Sequence, residues 1–162
     1  MARRVGRHGT SSVMRQEESR LLVSIAILDS DDRDVLTRVA AGVFDHRLRP
    51  ESCAEFLSDA RHHIAVAIDE GTVVGMASGV HYVHPDKEPE LWVNEVGVAP
   101  THRNRGLGRQ LLLALLDVGR KLGCVEAWVL TDRANLPAMR VYGSCGGVEA
   151  DRDQVMFTFP LR

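Results

Sequence analysis

A chain of 162 residues, 44% hydrophobic and 26% charged, is sized for one domain around one core, and no apolar run approaches the length that spans a bilayer. Its formal net charge is only -2, and three cysteines, Cys53, Cys124 and Cys145, stand at no metal-type spacing. Those features argue against a membrane protein, a disulfide scaffold and a zinc module, and fit reduced thiols in the cytoplasm.

Arg3, Arg4, Arg7, Arg15 and Arg20 crowd the beginning, opposed by Glu17 and Glu18, so the rest of the chain is acidic. Residues 1–19 read as a disordered basic tail without the continuous apolar stretch of a secretory signal, and residues 20–162 as the folded domain. Branched apolar residues from Leu21 to Ile27 suit a first strand. Asp29-Ser30-Asp31-Asp32 offers caps for a helix whose Val35, Leu36, Val39, Ala40, Val43 and Phe44 recur at helical spacing. A second short helix is expected from Pro50-Glu51, burying Phe56 and Leu57. Strands from His63 to Ile68 and from Val73 to Val83 flank a Glu70-Gly71 turn signal, and a polar loop covers His84 to Pro89.

The strand Leu91 to Val98 leads through a basic turn into a helix on which Leu107, Leu111, Leu115, Val118 and Leu122 share a face, stopped by Gly123. Cys124 to Leu130 is apolar except for Glu126, the pattern of a strand deep in a sheet. A short helix opening at Asn135-Leu136-Pro137 carries Met139, Val141 and Tyr142 and ends at Gly146-Gly147, and a last strand is expected from Gln154 to Phe159.

The most informative segment is the turn Arg103-Asn104-Arg105-Gly106-Leu107-Gly108-Arg109. Gly106 and Gly108 remove side chains where a ligand approaches the main chain, and the unpaired N–H groups of the next helix present partial positive charge. That is a socket for a pyrophosphate. No Gly-x-x-x-x-Gly-Lys-Ser/Thr occurs, and Leu111 stands where a dinucleotide fingerprint would have its third glycine.

With Arg103-x-x-Gly106-x-Gly108 following the strand that ends at Val98, the chain resembles the GNAT superfamily of N-acetyltransferases. The resemblance extends over the order of elements from Leu21 to Leu161. It implies an α+β fold with a mostly antiparallel twisted sheet, a splayed parallel strand pair and flanking helices. It also implies acetyl-CoA as acyl donor, no metal, and direct transfer to an amine. Val96, Gly97 and Val98 would pair with the pantetheine arm, and Arg103 to Arg109 would hold the pyrophosphate. Asn135, Ala138 and Tyr142 match a second family motif: Asn135 either fixes pantetheine or caps its helix, and Tyr142 either protonates the departing thiolate or packs in the core.

Transfer to an amine needs a base and a donor for the thioester carbonyl. Glu95, a carboxylate in the apolar run LWVNEVGV, is the leading base, with Glu90 and Asn94 as alternatives, an ion pair to arginine as its structural role, and the N–H of Val96 as carbonyl donor. His62-His63 and His81-x-x-His84 lack a third ligand for a metal; His81 is expected in the wall of the acceptor pocket. Cys145 has no base near it in sequence and reads as an inert thiol.

A narrower resemblance, to aminoglycoside 3-N-acetyltransferases, rests on VNEVGVAPTHRNRGLG and on Ala138 to Phe157. It implies a small-molecule amine, with an aminoglycoside as one form of it, attracted by Glu149, Asp151 and Asp153, and the loop Asp45 to Glu51 as the other wall. A protein or peptide N-acetyltransferase and a non-catalytic acyl-CoA-binding module are the other readings. A homodimer is common in the superfamily; neither nucleic acid nor membrane is expected as a partner.

Overall fold

The computed structural model describes residues 23–150 and 156–161. Five strands form one sheet in sequence order: β1 (Ser24–Leu28), β2 (His62–Asp69), β3 (Thr72–His84), β4 (Lys87–Val98) and β5 (Glu126–Val129). The first four are antiparallel and β5 joins β4 in parallel, so the sheet is mixed. Three helices complete the order: α1 (Pro50–Ser58), α2 (Leu107–Lys121) and α3 (Leu136–Ser144).

The core lies on the middle strands. Ala65, Val66, Ala67, Val73, Met76 and Ala77 are fully buried because both faces of β2 and β3 are covered. On one face α2 buries Leu107, Leu111 and Leu115 of the stripe read from its periodicity, together with Leu112, whereas Leu122 at the end of that stripe is exposed. Gly75, Gly79 and Gly119 let this helix approach closely, since a Cβ at each would stand 3.4 Å or less from Leu111, Leu115 or Leu91. Residues 39–48 and α1 cover the opposite face.

Glu70 and Gly71 both take left-handed φ, 47° and 74°, in the tight β2–β3 hairpin that the sequence signals. Gly123, at φ 79°, ends α2 as expected. The polar loop is shorter than the sequence implies: β3 runs on through His84 and β4 begins at Lys87.

Three expectations are corrected. The first helix is only a 3-10 turn, Arg33–Thr37. At Val39 the chain is extended, because Ala40 N–H donates to Val73 O at 2.9 Å and Val73 N–H to Arg38 O at 2.8 Å, giving a parallel bridge where β3 outruns β4. The β-branched Val39 suits that bridge, and residues 41–46 then turn and bend, with Gly42 at φ 76°. Second, β5 is the short outer strand of the sheet among the described residues, and its flanking Val125 and Leu130 are exposed. Third, Met156 to Phe159 form no strand, and Met156, Phe157 and Phe159 are exposed; Gln154, Val155 and the tail 1–19 lie outside the described residues.

Residues 39–48 are pinned to the sheet by main chain. A Cβ on Gly97 would run into the carbonyl oxygen of Val43, itself buried, so only glycine fits that strand position. Gly97→Ala is expected to lower stability by about 1–3 kcal/mol, the usual range for overpacking, measured by urea denaturation.

His63 and His81 lie on the α2 face, with Nε2 of one 2.8 Å from Nδ1 of the other. Burial, then the charges of His81 and His62, hold the His63 pKa below its ordinary value. Its neutral form therefore contributes stability above about pH 6.5 that is lost as pH falls through the folded value. Thermal midpoints should drop on acidification below about pH 6.5, and His63→Gln should flatten that dependence.

Candidate active site

The site begins where β4 loses a neighbour. Pairing with β5 covers only Glu90 to Val93, opposite Glu126 to Val129. In the β3–β4 ladder Val93 faces Gly79 and Glu95 faces Ser78, leaving Asn94 as an extra residue, a bulge. From Glu95 to Val98 the strand stays paired to β3 but has no partner in β5. Its outer N–H and C=O groups form the kind of edge to which an extended amide chain adds as a strand.

The turn that follows is built as the sequence indicates. Asn104 and Gly106 take left-handed φ of 60° and 78°, and α2 starts at Leu107 with no side-chain cap. The first-turn N–H groups, those of Leu107, Gly108 and Arg109, have no partner within the helix and point away from it at its positive end. A Cβ at Gly106 would meet nothing nearer than Gln110 Nε2 at 3.9 Å, so the glycine is required by its φ.

The arginines brace this turn with their own guanidinium groups. Arg103 Nε–H donates to Val98 O at 3.1 Å, Arg105 Nη2–H to Thr101 O at 3.0 Å, and Arg109 Nε–H to Ser144 O at 3.3 Å, which ties α2 to the end of α3. A tether not anticipated from sequence joins them: His102 Nε2 lies 2.9 Å from Asp69 Oδ2, and its Nδ1 2.8 Å from Thr101 Oγ1. The turn is thereby hung from the β2–β3 hairpin. His102 gives no sequence signal, since its partner lies 33 positions away.

Glu95 is half-buried on the sheet face covered by residues 39–48. Burial first, then the negative charge of Asp45, push its pKa up, with His46 opposing. Among the described residues no arginine forms an ion pair with it. Asp45 and His46 also line a cavity of about 890 Å³ together with Leu36, Phe44, Leu48 and Cys53. Of the segment expected as a wall, Asp45 to Glu51, Asp45 and His46 are the residues whose charges reach Glu95.

On the other side of the turn, Val141 of α3 packs on Gly108, and Tyr142 is partly buried, with its pKa raised by burial. Asn135 Oδ1 accepts from Ala138 N–H at 3.2 Å, so it caps α3. Cys145 Sγ donates to Arg109 O at 3.8 Å.

One expected acceptor-site residue is elsewhere. His81 is on the α2 face, opposite Glu95, and bonded to His63. Glu149 is ion-paired with Arg133, while Asp151 and Asp153 lie outside the described residues. Among the described residues no group of three or more His, Cys, Asp or Glu could hold a metal, and no helix is long and apolar enough to cross a membrane.

The model of the acetyltransferase (GNAT) family matches residues 28–146, a span that contains the splayed strand, the turn and α3. The chain belongs to this family. This GNAT chain is 33% identical over 126 residues to the N-alpha-acetyltransferase RimI of Mycobacterium tuberculosis (strain ATCC 25618 / H37Rv), covering 76% of this chain and 77% of that one. It is 30% identical over 100 residues to streptothricin acetyltransferase of Streptomyces lavendulae, covering 62% of this chain and about half, 51%, of that protein's length. Among solved structures, the aminoglycoside acetyltransferase meta-AAC0020 from an uncultured soil metagenomic sample, in complex with sisomicin, superposes with a TM-score of 0.73 at 18% identity, covering 86% and 97% of the two chains. Aminoglycoside N-acetyltransferase AAC(6')-Iy, solved with CoA, gives 0.66 at 20% identity, covering 86% and 95%. At such identities these two structures establish the fold.

The turn makes two separable predictions. Gly106→Val should abolish acetyl-CoA binding by calorimetry, because a β-branched side chain is strained at φ 78°. His102→Ala should weaken acetyl-CoA binding several-fold, with Gln at this position recovering part of the loss through its amide.

Proposed function

We propose that this GNAT chain transfers acetyl from acetyl-CoA directly to a primary amine of a small molecule. The single observation that carries the mechanism is Glu95: a half-buried carboxylate, its pKa raised, one residue past the bulge at which the β4 edge opens.

The residues present fit the donor. Glu95 to Val98 offer main-chain groups for the two amides of pantetheine, with Val96, Gly97 and Val98 as its partners. The uncapped start of α2 suits the pyrophosphate. When bound, acetyl-CoA supplies an activated acyl group. Glu95, directly or through water, takes the proton of the acceptor ammonium, and a raised pKa suits a base that must work near neutral pH. The main-chain N–H of Val96 is the donor toward the thioester carbonyl as negative charge grows there. Tyr142 keeps its proton, since burial raises its pKa, and so has one to give to the departing thiolate.

A small amine is favoured over an extended polymer because Asp45 and His46, whose charges reach Glu95, line a cavity drawn from residues 33–54. An aminoglycoside is one such amine, supported by the carboxylates of Glu95 and Asp45, while Arg33 and Arg47 also line the cavity. A peptide N-terminus is the second reading, favoured by the match to RimI over three quarters of both chains.

Glu95→Gln should lower kcat by about 10²–10⁴ while leaving acetyl-CoA affinity unchanged. The acid limb of kcat/KM should lie above the ordinary carboxylate range, and Asp45→Asn should move it to lower pH, because removing that negative charge stabilises the Glu95 carboxylate. Thiol release measured across pH with an amine panel checks both; a pH-independent rate would remove Glu95 as base.

A further inference from the structure

The sheet face that carries Glu95 holds a second constellation, at the opposite end of β4. Tyr82 is the cross-strand partner of Glu90 in β3–β4, Glu90 of Glu126 and Trp92 of Trp128 in β4–β5. Directly paired residues share a face, and alternation along β3 puts Ser78, opposite Glu95, on the same face as Tyr82. The side chains confirm the grouping. Trp92 and Trp128 stack with centroids 5.4 Å apart and planes 12° from parallel, Trp128 Nε1–H donates to Tyr82 Oη at 3.3 Å, and the Tyr82 hydroxyl donates to Glu90.

This cluster carries features that folding alone does not need. Trp92 keeps 37% of its surface in solvent although it sits in mid-strand. Glu90 and Glu126 face each other directly, an arrangement that like charges disfavour. Among the described residues no lysine or arginine pairs with Glu90, Glu95 or Glu126. An indole face attracts a cation, and two carboxylates at its edge attract the same cation.

We propose that Tyr82, Glu90, Trp92, Trp128 and Glu126 form a subsite for a second cationic group of the acceptor, whose acetylated amine lies at Glu95. The inference rests on the reading of Glu95 as the acetyl-transfer end. Five residue steps along β4 separate Glu95 from Glu90, about 15 Å at strand rise. The acceptor class is therefore an elongated polyamine or amino-sugar chain with amines at both ends. The Tyr82 hydroxyl, held between Trp128 and Glu90, fixes the carboxylate toward the aromatic pair.

These two tryptophans are the only ones in the chain, so intrinsic fluorescence reports this subsite alone. The test uses the full chain in two assays, thiol release at saturating acetyl-CoA and fluorescence titration, with spermine, sisomicin and n-butylamine as probes. Spermine and sisomicin distinguish the polyamine from the amino-sugar form of the acceptor. At least one should exceed n-butylamine in kcat/KM by about 30-fold or more and should saturate a fluorescence change. Glu90→Gln and the exposed Glu126→Gln should each weaken that polycation about tenfold, through KM, and Glu126→Gln should leave KM for acetyl-CoA and turnover of n-butylamine unchanged. Equal use of n-butylamine, or equal losses on every amine, would overturn the subsite. Saturable fluorescence quenching lost in Glu90→Gln, but with no thiol release from any amine, would keep the subsite and overturn acetyl transfer instead.

Discussion

Every part of the site depends on one asymmetry in β4: two neighbours as far as Val93, one neighbour afterwards. A strand in mid-sheet has no hydrogen-bonding capacity to spare, whereas an edge strand has a whole side of it. The bulge at Asn94 falls between the two regimes, and β5 ends its pairing one residue earlier. A single discontinuity thus separates a structural half of the strand, where Leu91 and Val93 are buried under α2, from a half with groups available to a ligand.

The electrostatic character of the site follows from where that discontinuity lies. Glu95 is the first residue beyond it and is partly covered by the 39–48 segment, which brings Asp45 and His46 close. Desolvating a carboxylate next to another acid is costly, and a folding core gains nothing from it. The pyrophosphate turn is the opposite case. Its positive character comes from helix geometry, and its arginines spend hydrogen bonds on carbonyls that keep the turn in shape.

Much of this was legible in the sequence. The stripe Leu107, Leu111, Leu115 gave α2 because its period matches a helix pressed against a sheet, and Gly106 marked the socket by a left-handed φ that few other residues tolerate, whereas Gly108 has ordinary helical backbone. Residues 33–49 misled because Val35, Leu36, Val39 and Val43 also lie at helical spacing. Leu36 is buried from the 3-10 turn, Val39 is partly buried through a bridge whose hydrogen bonds go to Val73, a partner distant in sequence, and Val43 is buried from the bend beyond it. His81 could not be assigned to a face without the register of two ladders. The meeting of Trp92 with Trp128 depends on the same registers, and the apolar run around β5 reads as interior although Val125 and Leu130 are exposed. Asp45 beside Glu95 was anticipated as a wall, but its effect on the carboxylate needed the fold.

The Val43 carbonyl resting on Gly97 places the strand proposed to bind the donor against the segment proposed as the acceptor-side wall. The contact is made by backbone on both sides, and any residue at position 43 would present the same oxygen. Side chains from Phe44 to Leu48 are thus decoupled from the fastening that holds them. On the proposed function, divergence can rewrite the acceptor wall one side chain at a time while the donor strand stays untouched.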